Sequence, residues 1–168
     1  MPKPTSTFRA ATAALAGILI AIGGCTESPA SPTPQQFVQR AGGARFDLSG
    51  ATTTTAVIGV EGGTLQTASG DRIVFPAGAV AAPTEISITS DPRYAGVQLQ
   101  PHGLQFPAGH EPVLQLNLQA TNAGTFHTLS VVYVDEDGAI SEFLPTSAGS
   151  GRAVTNLHHF SGYLAISH

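Results

Sequence analysis

The sequence has one cysteine, no tryptophan and a single lysine, Lys3. One cysteine excludes an internal disulfide, so the fold must rest on its core. Charge is scarce as well: Asp, Glu, Lys and Arg make up only 11% of the residues. All 11 acids fall after residue 24, where five arginines remain, giving a net charge of 5 − 11 = −6 for that part. A surface of that sign excludes nucleic acid as a partner, because it lacks the basic footprint. It equally excludes adhesion to an anionic bilayer through protein charge. No paired Cys/His spacing and no HExxH occurs, so there is no zinc signature, and no metal or other cofactor is expected. A GxSxG elbow, a phosphate loop and a dinucleotide fingerprint are also missing. No apolar run reaches the roughly 20 residues of a spanning helix.

The N-terminus does carry a signal. Lys3 and Arg9 stand in a short start without acids; residues 10–22 are apolar apart from Thr12; Gly23, Gly24 and Cys25 follow. A basic start, a brief apolar stretch and a small-residue exit form an export leader. Ile22-Gly23-Gly24-Cys25 resembles the lipobox of bacterial lipoproteins. That resemblance implies acylation of the Cys25 thiol and cleavage of residues 1–24, with membrane lipid as the partner of Cys25. The alternative is an ordinary secreted protein with a stray thiol. Thr26 follows Cys25 where inner-membrane retention favours Asp, so the expected location is the cell envelope, at the outer membrane or cell surface.

Residues 26–34 read TESPASPTP, a tether with little to bury. Residues 35–56 remain poor in periodic apolar residues, with Phe37, Val38, Phe46 and Leu48 as local docking candidates, and 25–56 is read as a lipid-anchored flexible linker. From Val57 short β-branched runs alternate with Gly, Pro, Asp and Asn, the texture of an all-β domain over 57–168. Strands are expected at 57–60, 64–67, 72–75, 85–90, 97–99, 113–119, 129–135, 140–144, 153–157 and 162–166. Leu114, Leu116 and Leu118 alternate with Gln115, Asn117 and Gln119, as Ile86 and Ile88 do with Glu85, Ser87 and Thr89, giving strands with one wet and one dry face. Val131 to Val134 is apolar on both faces, which predicts a central or covered strand. Asp135-Glu136-Asp137-Gly138 reads as a hairpin tip; its oxygens lack the spacing of a calcium loop. Asp71 and Glu85 are a conceivable acid pair, while Tyr94, Tyr133 and Tyr163 read as packing residues.

Four stretches together carry a resemblance. They are Gly62-Gly63-Thr64-Leu65, Ile73-Val74-Phe75-Pro76-Ala77-Gly78-Ala79-Val80, Pro83-Thr84-Glu85-Ile86-Ser87-Ile88, and Gly103-Leu104-Gln105-Phe106 with Pro112-Val113. Their order and spacing resemble the ZU-five domain, a module of ankyrins, netrin receptors and zona-occludens scaffolds. The resemblance runs from about Val57 onward and implies an antiparallel β-sandwich. It also implies a non-catalytic binding or scaffolding role, with an unidentified envelope or extracellular protein as partner.

His158-His159-Phe160-Ser161-Gly162-Tyr163 follows the last of these stretches. In some eukaryotic relatives of the resembled family a His-Phe-Ser tripeptide is a self-cleavage site. His159, Phe160 and Ser161 match it, so the resemblance implies an alternative function: an N-to-O acyl shift at Phe160-Ser161, with His159 as base and Ser161 Oγ as nucleophile. On a regular strand His159 and Ser161 share one face, while Phe160, Leu164 and Ile166 share the other and fit a core. The same pattern equally suits a plain strand with Phe160 as a packing plug. Gly162 marks a relaxed turn or a bulge.

Overall fold

Side-chain alternation sorts the chain into two antiparallel sheets. The computed structural model describes residues 35–41, 51–135 and 138–167, all within one compact unit, Thr33–His168. Cys25 and the leader lie outside the described residues. The strands are β1 (Gln36–Phe37), β2 (Thr52–Ile58), β3 (Gly63–Gln66), β4 (Arg72–Phe75), β5 (Thr84–Ser90), β6 (Gly96–Gln100), β7 (Val113–Asn117), β8 (Leu129–Val134), β9 (Ile140–Leu144), β10 (Ser147–Gly149), β11 (Arg152–Asn156) and β12 (Gly162–Ser167). One sheet has seven strands in the order β2-β5-β6-β12-β8-β9, with β1 added against β12; the other has five in the order β10-β11-β7-β4-β3. The described residues contain no α-helix, and none of their helices is long and apolar enough to cross a membrane. The fold is an all-β antiparallel sandwich.

The dry faces meet between the sheets. Ile86 and Ile88 of β5, Val97 and Leu99 of β6 and Val131 of β8 face Ile73 and Phe75 of β4 and Leu114 and Leu116 of β7 in one buried cluster. Burying each such side chain contributes about 1.5–3 kcal/mol relative to exposure. β8 lies between β12 and β9, and both Val131 and Val132 are buried, in keeping with its two apolar faces. At the expected hairpin tip the Gly138 N–H donates to the Asp135 carbonyl, and Gly138 adopts φ +81°. Glycine is required most firmly at Gly62: at φ +79°, an added Cβ would lie 2.3 Å from the Phe75 carbonyl oxygen.

The flexible linker expected through residue 56 requires correction. β1 pairs with β12, with Gln36 opposite Ser167 and Phe37 opposite Ile166. Val38 is wholly buried, and its N–H donates to the Ala165 carbonyl. Arg40 forms an ion pair with Asp71. Thr52–Ile58 runs the whole length of β5 as an edge strand. Threonine is β-branched and suits a pleated surface. The strand escapes an apolar-periodicity reading because its alternate residues are exposed and its inward threonines are only half-buried.

A second correction concerns the parity of the last strand. Phe160 is in the core cluster as expected, but beyond it the cluster takes Tyr163 and Ala165 in place of Leu164 and Ile166. Residues 158–161 form a bend with an isolated bridge, and β12 begins only at Gly162. The bend uses up a residue, and every later side chain changes face. Ile166 is buried nonetheless, beside Phe37 of β1.

Candidate functional site

The His-Phe-Ser segment connects β11 of one sheet to β12 of the other. It is bound along its length to residues 99–106. The Phe106 N–H donates to the His158 carbonyl (3.0 Å) and the Phe160 N–H to the Leu104 carbonyl (2.8 Å). The Gly103 N–H donates to the Phe160 carbonyl (3.1 Å) and the Leu99 N–H to the Ser161 carbonyl (3.0 Å). His159 bridges to Gln105. Gly103 stands at φ +75°, a conformation natural to glycine, and this turn delivers its N–H to the Phe160 oxygen.

Phe160 anchors the bend. Its ring packs edge-on against Phe106 (centroids 5.0 Å apart) and Phe75 (6.0 Å). Edge-to-face pairs of this kind contribute about 0.5–1.5 kcal/mol each beyond burial. Phe75 and Phe106 belong to two of the four stretches noted in the sequence.

His159 and Ser161, on either side of this plug in sequence, have different neighbours. The His159 ring meets Tyr133 edge-on at 5.0 Å, and its Nδ1 lies 3.4 Å from the Tyr163 hydroxyl. That hydroxyl donates to the His159 carbonyl at 2.6 Å. Burial holds the Tyr163 hydroxyl well above the usual phenol range, and the nearby Glu142 and Tyr133 add to the effect. Ser161 lines a cavity of about 350 Å³ together with Gln98, His102, Val134 and Asp135. Among the described residues no hydrogen bond joins His159 to Ser161. Residues 158–161 bend, and the core-facing parity shifts between Phe160 and Tyr163.

What the bend can do chemically follows from its donors. A backbone N–H on the Phe160 carbonyl polarises that carbonyl and remains in place for an oxyanion formed on the same oxygen. Ser161 Oγ belongs to the residue directly after that carbonyl. No family model matches this sequence, and no curated protein matches it.

The remaining candidates resolve into structural roles. Asp71 pairs with Arg40 and not with Glu85, which is exposed on β5 opposite Val57. Its Oδ2 accepts from Arg40 Nη2 (2.6 Å), Ser90 Oγ (2.6 Å) and Ser69 Oγ (3.0 Å), and its Oδ1 from the Asn117 N–H (2.8 Å). Arg40 Nε donates to the carbonyls of Asp91 and Tyr94. His110 Nδ1 is 2.7 Å from the Ala77 carbonyl. His158 lies 3.9 Å from Glu111. The carboxyl of Glu111 is held below the usual range by its own N–H, then by the Gly109 N–H and the His158 and His110 charges. Asp135 accepts from the Ala139 N–H and Ser141 Oγ. Among the described residues no three His, Cys, Asp or Glu side chains form a metal-binding group. Sequence reasoning missed Arg40 and His102. Arg40 stood in a supposed spacer, and His102 was one of six scattered histidines; only its neighbour Gly103, already part of a noted stretch, marked the loop.

Proposed function

We propose that this chain is a lipid-anchored envelope protein, moored through Cys25, whose ZU-five-like sandwich is a binding or scaffolding module. The family reading is supported by the way its stretches converge. Gly62 abuts the Phe75 carbonyl, the Gly78 N–H donates to the Val60 carbonyl, and Phe75 and Phe106 meet at Phe160. The observation that carries the binding role is at the sheet edges. β2 and β9 are the two edges of the seven-stranded sheet. Each exposes a large apolar side chain, Val57 at 63% and Phe143 at 47%. Among the described residues each of these edges has a neighbouring strand on one side only, and such an edge beside an apolar side chain such as Val57 suits the addition of a partner strand.

A photocrosslinking residue placed at 57 or 143 of the full chain in cells tests this. The expected result is a discrete adduct in the membrane fraction at one edge, lost when the neighbouring edge residues are made acidic. Absence of an adduct at both edges would overturn the binding role. Cys25→Ser is expected to release the protein from membranes; continued pelleting would overturn the anchor.

A second reading is favoured by the Gly103 N–H on the Phe160 carbonyl: single-turnover cleavage of the Phe160-Ser161 bond. Denaturing intact-mass measurement tests it. The expected result is stoichiometric loss of residues 161–168, abolished by Ser161→Ala. Denaturation is essential, because β12 is hydrogen-bonded to β1, β6 and β8 and a cut strand stays in the sheet.

A further inference from the structure

The tripeptide motif assigns the proton-accepting role to His159, yet the side chains that share a cavity with Ser161 are others. We propose that His102 is the general base for Ser161, in place of His159; this rests on the self-processing reading. Three observations point to it. First, His102 and Ser161 line the same cavity of about 350 Å³. Second, His102 precedes Gly103, whose N–H holds the Phe160 carbonyl at 3.1 Å, so one loop supplies both the base and the carbonyl donor. Third, His159 is packed against Tyr133, its carbonyl accepts from the Tyr163 hydroxyl, and it does not line that cavity. Asp135, whose carboxylate accepts from the Ala139 N–H and Ser141 Oγ, also lines the cavity.

The step balances as follows. His102 accepts the Ser161 Oγ proton while Oγ bonds to the Phe160 carbonyl carbon. The oxyanion rests on the Gly103 N–H. Collapse breaks the Phe160–Ser161 C–N bond, and the imidazolium returns the proton to the Ser161 nitrogen. The resulting ester is hydrolysed by water, leaving a Phe160 carboxylate and restoring the Ser161 hydroxyl. The exposed rim of the cavity at His102 admits that water.

The test is a cleavage time course on the full chain, with and without hydroxylamine to capture the ester, read by denaturing intact mass. General-base loss is worth about 100-fold or more. Accordingly, His102→Ala and His102→Gln are expected to slow cleavage by at least about 100-fold, and His159→Ala by less than about tenfold. Added imidazole is expected to restore His102→Ala, a rescue that a structural role does not give. Thermal melts establish that each variant is folded. Wild-type cleavage in His102→Ala, or a loss that imidazole does not rescue, overturns the assignment to His102 alone. A wild-type chain that stays intact even with hydroxylamine removes the self-processing reading, and the assignment falls with it.

Discussion

Two buried anchors hold this sandwich, and they are built from opposite chemistry. Asp71 is fully buried among directional partners: Arg40 from the N-terminal segment, Ser69 beside it, Ser90 from β5 and the backbone of Asn117. Phe160 is equally buried, but among rings, with Phe75 from β4 and Phe106 from the loop before β7. Both join the two sheets. The polar anchor fixes which groups meet, because each bond has one geometry and an unmet buried charge is costly. The apolar anchor fixes only that a space is filled. The contrast predicts opposite tolerance to isosteric replacement.

The strongest way to break the comparison is Asp71→Ala. It leaves Arg40, only 12% exposed, without its carboxylate, and a loss of about 3–5 kcal/mol is expected from denaturant titration. Asp71→Asn, nearly the same shape, is expected to lose most of that. Phe160→Ala opens a cavity and is expected to cost about 3–5 kcal/mol. Phe160→Leu or Met is expected to cost clearly less, about 1–2 kcal/mol, because the rings can repack. If the isosteres reverse this order, the contrast is wrong. Gly62→Ala, strained at φ +79° and facing the Phe75 carbonyl, is expected to cost about 1–3 kcal/mol.

A smaller effect sharpens the apolar side. In the fold Tyr163 keeps its proton to a higher pH than an ordinary phenol, chiefly because it is buried. Above about pH 10 the unfolded chain releases that proton while the native chain holds it. Stability is therefore complete below about pH 10 and falls as pH rises, at up to about 1.4 kcal/mol per unit. Tyr163→Phe is expected to remove that slope in alkaline melts. The smallest effect belongs to the surface: Val57→Asp and Phe143→Asp are each expected to shift stability by about 0.5 kcal/mol or less while affecting any edge contact.

The apolar anchor was legible in the sequence and the polar one was not. Ile86 and Ile88, or Leu114 and Leu116, announce their strand and its dry face within a few residues. Phe160 was readable as a plug. The ion pair of Arg40 with Asp71 spans 31 positions, and nothing local marks either partner. The same limit hid β1 and β2. A two-residue strand has no period, and a threonine edge strand has a polar signature that matches a spacer. Within the candidate site, the motif singled out Phe160 and Ser161. The pairing of His159 with Ser161 assumed regular alternation, and the bend before Gly162 breaks it. His102 enters the cavity through a loop contact that no spacing rule encodes.

The pairing of Gln36 with Ser167 puts the entry and exit of the folded polypeptide at one doorway. A fluorescent tag or fusion appended beyond Ser167 would emerge beside Gln36 and crowd the β1 edge there. Reporter insertions belong instead in the connection between β8 and β9. Because Gln36 and Ser167 are neighbours, residues 36–167 also suit circular permutation, with new ends opened in that connection.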